Sequence, residues 1–480
     1  MEYEAVIGLE VHLQVRTASK IFCSCANRFG EEPNTLVCPV CLGYPGVLPA
    51  VNKQAITKTI AAGMMCNCEI AGYSKFDRKN YFYPDMPKNY QISQYDLPLC
   101  QNGSVRIEGV GFSGDEIPRR HIGVRRIHLE EDVAKSIHVG SYSVIDFNRA
   151  GVPLMEIVSE PDMTSPDEAH AYLTELKQMM HYADISDCDM EKGQMRCDVN
   201  VSVRAVDNPG FGTKVEIKNL NSFRAVHRAL SYEIERQKEL LEESAAVEQE
   251  TRRWNDEEGV TTLMRTKEEA HDYRYFPEPD LMPLQISADM REEIRRNLPE
   301  SPASRRERFV QEYAITAYDA QVLTGEKALA DFFEEAAAAS SAPKRVANVI
   351  MTEFLGWLGD QGKTVRESPV GPEAIRELVS LVENETISMK IAKDVFSEMM
   401  ETGKAPGDIV EEKGLQQVTD QSVIESYLQQ VVQENPSVVD DYKSGKEKAL
   451  KYLVGQVMKL SQGKANPQQV NDRLRDMLSQ

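Results

Sequence analysis

The feature that most constrains the fold of this chain is a strict alternation of apolar and polar residues in segments 7–16 and 197–204. A half-buried β-strand has this period of two, so one face packs on a core and the other carries the polar groups. A solvated outer face of an antiparallel sheet is the simplest explanation. The polar faces, however, are rich in His, Asn and Ser rather than Lys and Thr. Their members include Glu10, His12, Gln14, Asp198, Asn200 and Ser202.

A single acid, Glu156, lies inside the apolar run 153–158. A carboxylate placed in a strand of this kind needs a partner, because an unpaired buried charge is strongly unfavourable. Several acids that converge on one place need a cation. Mostly oxygen ligands with one imidazole suit Mg²⁺ or Mn²⁺ better than Zn²⁺. The candidate ligands are Glu10, His12, Glu130, Glu156 and Asp198.

The chain changes character twice along its length. Residues 1–293 combine short strand patterns with a few clear helices, of which one follows the capping sequence at 165–168 and one spans about 222–243. Residues 294–405 carry helical patterns, and a Gly/Pro cluster at 403–407 precedes a small helical module that occupies 406–480. The sequence therefore predicts an α+β protein with an antiparallel-sheet domain, an all-helical domain and a small helical tail.

Composition and charge narrow the functional classes. The 480-residue chain has a formal net charge of −21, so any contact with RNA has to come from a local basic patch. The N-terminus lacks the basic and apolar regions of a signal peptide, and no apolar run is long enough to span a bilayer. We therefore expect a soluble, cytoplasmic protein. The nine cysteines favour free thiols or a metal site over disulfides.

Two apparent nucleotide-binding motifs fail on context. Residues 109–114 match G-x-G-x-x-G by letter, but Asp-Glu-Ile-Pro follows in place of a helix, so a glycine-rich hairpin turn is predicted. Residues 362–364 resemble the end of a P-loop, yet no strand precedes them and the glycine spacing is wrong. If the protein binds ATP, the polar strand faces and a metal have to hold it. The sequence also has no nucleophile elbow.

Four cysteines form two closely spaced pairs, Cys23 with Cys25 and Cys38 with Cys41. This spacing is typical of a tetrahedral zinc site, and four protein ligands leave no open position for catalysis. The alternative is a loop with four unligated thiols. The sequence therefore predicts a structural zinc site at 23–41.

Nine segments distributed over almost the whole chain resemble the B subunits of the aspartyl/glutamyl-tRNA amidotransferases. These segments are 6–12, 75–85, 90–94, 128–132, 156–162, 195–202, 218–222, 272–280 and 463–467. The resemblance implies a catalytic cradle domain of antiparallel sheet and helices, followed by the helical and tail domains. It also implies a heterotrimer whose other members are an amidase and a small third subunit, termed A and C. The amidase releases ammonia, which a channel delivers to the B subunit.

The resemblance further implies the reaction and its groups. ATP phosphorylates the side-chain carboxylate of Glu on tRNA(Gln) or Asp on tRNA(Asn), and ammonia then displaces phosphate to leave the amide. The implied Mg²⁺ ligands are the five residues named above, and Lys79 and Glu131 match the mouth of the ammonia channel. A surface salt bridge is the alternative for Lys79. Candidate nucleotide or acyl contacts are Arg149, Ser159, Asn200, Ser202, Lys218 and Asn219. Some members of the family lack the four cysteines, which are all present here.

The tail reverses the charge of the chain. Between positions 442 and 464 there are six lysines against one acid, Glu447. A solvated helix face is the alternative, but a local basic surface favours RNA phosphate. The candidate tRNA contacts are Lys443, Lys446, Lys448 and Lys451, with Lys459 and Lys464 further on.

Three functions compete at this point. The first is an ATP-dependent transamidase subunit, and the second is a zinc-stabilised tRNA-binding scaffold whose partners carry the chemistry. The third is a stand-alone metal-dependent hydrolase, which would turn over its substrate without ATP or partners. A scaffold has no need of Glu156 in an apolar run beside Glu10 and His12, so the first hypothesis is favoured.

Overall fold

A computed structural model describes residues 2–208, 210–266, 273–416, 421–461 and 465–479 of the chain. Three residues of the resembling segments, Asp272, Gly463 and Lys464, lie outside the described residues. The chain divides into two compact units, Met1–Ala303 and Ser304–Gln480. The finer division at 405, between the helical domain and the tail, stays a prediction.

The first unit is rich in strands. Its described strands are β1 (Tyr3–Gln14), β2 (Glu69–Ile70), β3 (Tyr73–Ser74), β4 (Asp77–Asn80), β5 (Tyr90–Ser93), β6 (Cys100–Val110), β7 (Glu116–Glu131), β8 (Lys135–Val139), β9 (Tyr142–Asp146), β10 (Pro153–Ser159), β11 (Met195–Ala205), β12 (Val215–Leu220), β13 (Glu250–Asn255), β14 (Val260–Thr266), β15 (Phe276–Pro277) and β16 (Leu284–Gln285). Its helices are α1 (Lys53–Met65), α2 (Pro166–Tyr182), α3 (Phe223–Glu242) and α4 (Ala288–Arg296).

Nine of these strands form one sheet in the order β14-β13-β12-β11-β1-β10-β7-β6-β2. All neighbours are antiparallel except β12 and β13, which run parallel because α3 returns the chain between them. Strands β4, β5 and β15 make a separate small sheet, and β3 with β16 and β8 with β9 make two-stranded pairs. The predicted α+β fold, with an antiparallel-sheet domain followed by helices, is confirmed.

The apolar face of the central strand β1 is fully buried. Ile7, Leu9, Val11 and Leu13 are at most 1% exposed and belong to one core with residues of α1, α2 and α3. Burial of each such side chain contributes about 1.5–3 kcal/mol. Because successive side chains alternate, the same packing directs every second residue of β1 to the opposite face of the sheet.

Both helices predicted in the first unit are present. Ser165 caps α2 by accepting a hydrogen bond from the Glu168 amide at 3.2 Å, and Ser222 caps α3 by accepting one from the Ala225 amide at 3.0 Å. In a reciprocal capping box the Glu168 carboxylate would accept from the Ser165 amide. Here it accepts instead from the Thr164 amide at 2.6 Å.

Both rejected nucleotide motifs lie in turns. Residues 109–114 belong to the hairpin between β6 and β7, where the Gly111 amide donates to the Asp115 carbonyl at 2.9 Å. Gly362 ends a helix of the second unit in the left-handed conformation, with φ of 61°. Neither segment therefore leads from a strand into a helix N-terminus that could hold phosphate.

The second unit is helical throughout its described residues. Its helices are α5 (Pro302–Tyr313), α6 (Ala317–Leu323), α7 (Lys327–Ala337), α8 (Pro343–Val349), α9 (Leu355–Gln361), α10 (Pro372–Glu383), α11 (Met389–Thr402), α12 (Pro406–Glu412), α13 (Gln421–Glu434), α14 (Pro436–Lys443), α15 (Lys448–Leu460) and α16 (Pro467–Ser479). A π-helical segment, Ile350–Phe354, joins α8 to α9, and a short 3₁₀ turn spans Val365–Glu367. Helices α13 to α16 share a core of their own around Leu453 and Val457. Among the described residues, no helix is both long and apolar enough to cross a membrane.

Candidate metal and catalytic site

Three polar side chains meet on the face of the sheet opposite the core. His12 on β1 lies directly across from Glu156 on β10, and Glu130 on β7 lies across from Leu154, two residues before Glu156. The potential ligand atoms of His12, Glu130 and Glu156 all lie within 4.8 Å of one another. The partner that the sequence required for Glu156 is therefore His12, whose Nε2 is 3.2 Å from the Glu156 carboxylate.

The electrostatics of this group favour charged forms. Burial raises the pKa of Glu156, but His128 and the hydrogen bond from His12 outweigh burial and hold the pKa below its usual range. Burial lowers the pKa of His12, but the hydrogen bond with Glu156 and the charges of Glu156 and Glu130 outweigh it, so that pKa is raised. Two carboxylates and an imidazole that converge in this way form a donor set suited to a hard divalent cation.

Glu10 and Asp198 share the polar face but not this group. The Glu10 carboxylate accepts a hydrogen bond from the Asn200 side chain at 2.9 Å. Asp198 forms an ion pair with Lys218, whose ammonium is also 3.0 Å from the Glu216 carboxylate. Of the five predicted ligands, the structure therefore brings three together and gives the other two polar partners on β11 and β12.

One further residue of the group, His128, was not predicted from the sequence. It lies directly across from Glu156 on β7. Its ring is 3% exposed, and its Nε2 is 3.6 Å from the Glu130 carboxylate and 3.8 Å from that of Glu156. The side chain thus lies between the two acids. The period-two rule could have found it, because His128 precedes Glu130 by two residues and must share its face of the strand.

Lys79 and Glu131 lie beside the group but have separate partners. The Lys79 ammonium is 4.9 Å from the centre of the Tyr273 ring. Burial lowers the pKa of Lys79, but the nearby Glu130 carboxylate and the Tyr275 hydroxyl outweigh it, so the pKa is raised. Glu131 is 3% exposed, and its carboxylate is 2.7 Å from the Lys88 ammonium.

A large groove of about 930 Å³ opens next to this face of the sheet and includes Gln14, Arg149 and Arg196 in its lining. Arg196 lies directly across from His12, and its guanidinium is 2.9 Å from the buried carboxylate of Asp132. The Arg149 guanidinium donates to the carbonyls of residues 133 and 134, each at 2.9 Å. Two arginines positioned in this way make the groove suitable for a phosphate-bearing ligand.

The remaining candidate contacts take up separate positions. The Ser159 hydroxyl accepts from the Leu9 amide at 2.9 Å, so it links β10 to β1. Ser202 is buried on β11. Asn219 has a left-handed backbone with φ of 68°, and its side chain donates to the Trp254 carbonyl at 3.0 Å. Ser159 and Asn219 therefore help to hold the sheet together.

The four cysteines predicted to bind zinc do come together. The sulfur atoms of Cys23, Cys25, Cys38 and Cys41 all lie within 4.8 Å of one another, and Cys41 is 5% exposed. A hydrogen bond with Cys23 lowers the pKa of Cys41, as do the Cys38 backbone and the charge of Lys20, against the effect of burial. Four sulfur ligands at these distances fit a tetrahedral soft-metal site.

The lysines of the tail lie on or beside α15. Lys448, Lys451 and Lys459 are exposed on this helix, and eleven residues separate the first from the last, so they share one side. Lys443 is exposed at the end of α14, and Lys446 forms an ion pair with Asp441 at 2.8 Å. The basic side of α15 therefore remains available to solvent.

Comparison with known proteins agrees over the whole chain. The family described as the GatB/GatE catalytic domain matches residues 5–292, and the family described as the GatB domain matches residues 331–478. The B subunit of the aspartyl/glutamyl-tRNA(Asn/Gln) amidotransferase from Caldanaerobacter subterraneus is 56% identical over 480 residues, which is 100% of both chains. The proteins of the same name from Carboxydothermus hydrogenoformans and Thermodesulfovibrio yellowstonii are 55% and 52% identical, and each comparison covers 100% of this chain and at least 99% of the relative.

Proposed function

Because this chain belongs to the family of aspartyl/glutamyl-tRNA(Asn/Gln) amidotransferase B subunits, we propose that it serves the same complex. That complex is an ATP-dependent ligase that converts misacylated Glu-tRNA(Gln) or Asp-tRNA(Asn) into Gln-tRNA(Gln) or Asn-tRNA(Asn). The partners are the amidase, the small third subunit, which is termed C, and the tRNA. We also propose that the protein acts in the cytoplasm, and a role in tRNA amidation supports this proposal.

The convergence of His12, Glu130 and Glu156 carries the proposal that this chain performs the activation step. A free carboxylate is a poor acyl donor to ammonia because it has no good leaving group, whereas an acyl phosphate is a good donor because phosphate can leave. Transfer of a phosphoryl group depends mainly on positioning and charge neutralisation, so it needs no protein nucleophile. Mg²⁺, when bound, would supply charge neutralisation on the phosphate oxygens.

The donor set fits that ion, since two carboxylates and one imidazole leave room for water and substrate oxygens. Glu130 and Glu156 would hold the ion with His12, and His128 keeps the two carboxylates in register between β7 and β10. Glu10, two residues before His12 on β1, and Asp198, directly across from Glu10 on β11, are proposed to act from beside this group. There Asn200 and Lys218 orient them.

Substrate positioning is assigned to the groove beside the metal group. Arg149 and Arg196 line it, and a guanidinium binds phosphate through two parallel donors. We assign the triphosphate or the 3′ end of the tRNA to this groove. Ser202, which lies farther along the strand that carries Arg196, remains a proposed contact. The Lys79 ammonium contacts the Tyr273 ring and interacts with the charges of Glu130 and Glu156, so it can stabilise the phosphorylated intermediate.

Ammonia is proposed to enter past Lys79 and Glu131. Glu131 is fixed by Lys88 and by the Ile92 amide at 2.9 Å, so its carboxylate is already ordered. A lysine and a carboxylate at such an entrance can close it with polar contacts, and the carboxylate can accept a proton from ammonium.

Two further proposals concern stability and tRNA. Zinc bound by the four cysteines would hold the loop at 23–41 in one conformation. The exposed side of α15, with Lys448 and Lys451, would contact tRNA phosphates. Neither site takes part in the chemistry.

The test is a reconstitution. The purified chain, alone and with the amidase and the small third subunit, is given Glu-tRNA(Gln), Mg²⁺ and γ-labelled ATP. Glu-tRNA-dependent ATP cleavage, with Gln-tRNA formed once ammonia is added, supports the proposal. If ATP stays intact while tRNA binds, the chain is a tRNA-binding scaffold. Turnover without ATP or partners would indicate a hydrolase.

A further inference from the structure

One lysine of the first unit is buried completely. Lys20, in the segment that follows β1, is 0% exposed. Its ammonium has two neighbours, the Cys41 sulfur at 3.7 Å and the Phe147 carbonyl at 3.3 Å. Among the described residues, no carboxylate forms an ion pair with it. A lysine in such a place needs a negative partner, because a buried cation without one is strongly destabilising.

The backbone around Lys20 fixes this contact. The Lys20 amide donates to the Cys25 carbonyl at 2.9 Å, and the Ile21 amide donates to the Gly151 carbonyl at 2.9 Å. The main chain of Lys20 is therefore tied to one of the four cysteines, while its ammonium contacts another.

We propose that Lys20 is the buried counter-ion of the metal-bound cysteine group. Four thiolates around a divalent ion leave two negative charges in excess, and the ammonium of Lys20 offsets one of them. A donor at the Cys41 sulfur also withdraws electron density, which makes the thiolate a poorer target for protons and other electrophiles whose attack would free the metal. Lys20 is thus a positioning residue that slows loss of the metal.

Lys20 also connects the cysteine group to the entrance assigned to ammonia. Gly151 has a left-handed backbone, with φ of 81°. A Cβ added there would lie 3.5 Å from the Cys41 Cβ, 3.7 Å from the Lys20 Cδ and 3.9 Å from a Glu131 carboxylate oxygen. Gly151 therefore lies between the cysteine group with its counter-ion on one side and Glu131 on the other.

The test compares the release of zinc from three forms of the full-length chain: wild type, Lys20→Met and Lys53→Met. Methionine keeps an unbranched apolar stem that ends where the ammonium would begin, so it removes the charge, and Lys53 is an exposed lysine at the start of α1. Zinc is measured at isolation, and its transfer to a coloured chelator is then followed over time. We expect Lys20→Met to release zinc roughly 10–100-fold faster than wild type, as is typical when a group that supports a metal ligand is lost. Lys53→Met should match wild type.

Release at the wild-type rate from Lys20→Met would overturn the role of Lys20. That role rests on the zinc site proposed above. The zinc content at isolation distinguishes failure of the zinc site from failure of the counter-ion role. Wild-type protein without zinc refutes the site and the counter-ion together. Zinc that is retained equally by all three forms refutes only the counter-ion.

A second measurement uses wild-type protein alone, in case Lys20→Met does not fold. An amine-modifying reagent is applied before and after zinc extraction, and modification of Lys20 is compared by mass spectrometry with that of Lys58, another shielded lysine. Lys58 forms its ion pair with Asp184, away from the cysteines. We expect the ratio of Lys20 to Lys58 modification to rise on extraction. An unchanged ratio would contradict the proposal.

Discussion

Replacement of Glu156 by Gln tests the metal group most directly, since it removes one charge and keeps the shape of the side chain. In wild-type protein without metal, the carboxylates of Glu130 and Glu156 repel each other within a group whose ligand atoms are no more than 4.8 Å apart. The substitution relieves this repulsion, although it also weakens the contact of His12. Because His128 and His12 outweigh burial and hold the pKa of Glu156 below its usual range, the charged side chain stabilises the fold, and we expect the metal-free variant to be less stable than metal-free wild type.

The metal site is tested by the additional stabilisation that Mg²⁺ gives to wild type and to the variant. A ligand that binds only the folded state at one hundred times its Kd stabilises it by about 2.7 kcal/mol. Loss of a group that supports a metal ligand weakens metal binding by up to roughly 100-fold. Loss of one of the three protein ligands themselves should weaken Mg²⁺ binding by at least that factor. At the same concentration the variant would then gain only about 0.4 kcal/mol. Amide formation should fall at least about a hundredfold, because several kcal/mol of charge stabilisation are removed.

Thermal and urea unfolding with and without Mg²⁺ measure the first effect, and Gln-tRNA formation by the reconstituted complex measures the second. The matched control is Glu116→Gln, an exposed acid at the start of the same strand that carries Glu130. A Glu156→Gln chain that keeps the full Mg²⁺-dependent stabilisation would refute the assignment, even if its activity were low. Binding of tRNA should be unchanged.

Three other perturbations have expected outcomes. Glu278→Gln breaks a pair in which a fully buried carboxylate accepts from Arg78 at 2.7 and 2.8 Å. Arg78 keeps its second partner, Asp280. We therefore expect the free energy of unfolding, measured by urea denaturation, to fall by about 2–3 kcal/mol, which is less than for a buried pair whose remaining charge has no partner. In the second unit, Lys327 and Arg305 hold the pKa of Asp331 below its usual range against the effect of burial, and Arg308 and Arg305 do the same for Glu334. Their contribution to stability is therefore present above about pH 4 and is lost as the pH falls through the folded values. The protection factors for hydrogen exchange in α5 and α7, which correct for the slower intrinsic exchange in acid, should fall accordingly, and Arg305→Met should reduce that pH dependence. Lys448→Gln with Lys451→Gln should weaken tRNA binding and reduce the salt dependence of log K by roughly 1.4–1.8, whereas an unchanged slope would exclude both lysines from phosphate contact.

Local patterns were sufficient for much of this structure. The alternation in 7–16 placed His12 on the polar face, the capping serines located the starts of α2 and α3, and the cysteine spacing indicated a group that the structure brings together. Each of these depends on residues close in sequence. The rejected glycine motif was equally local, since a dinucleotide site needs a helix directly after it.

The partners of the polar residues could not be predicted in the same way. Glu10 on β1 lies directly across from Asp198 on β11. The Glu10 carboxylate nevertheless accepts a hydrogen bond from Asn200, and the Asp198 carboxylate forms an ion pair with Lys218. The register of β11 with β12 shifts between Cys197 and Val199, and an irregularity of this kind changes which side chains meet. Register between distant strands is determined by the packing of the whole sheet, so a single strand pattern does not reveal it.

The position of β1 has a consequence for how the protein is made. Its two neighbours in the sheet, β10 and β11, begin at residues 153 and 195, so the first strand to be synthesised has no partner until much later. His12 can meet Glu156 only after that segment has left the ribosome. Such long-range pairing is slow, and it leaves an unpaired edge that can aggregate in the meantime. A nascent chain therefore cannot hold the metal until most of its first unit has been translated, and truncated products should be inactive and dependent on chaperones.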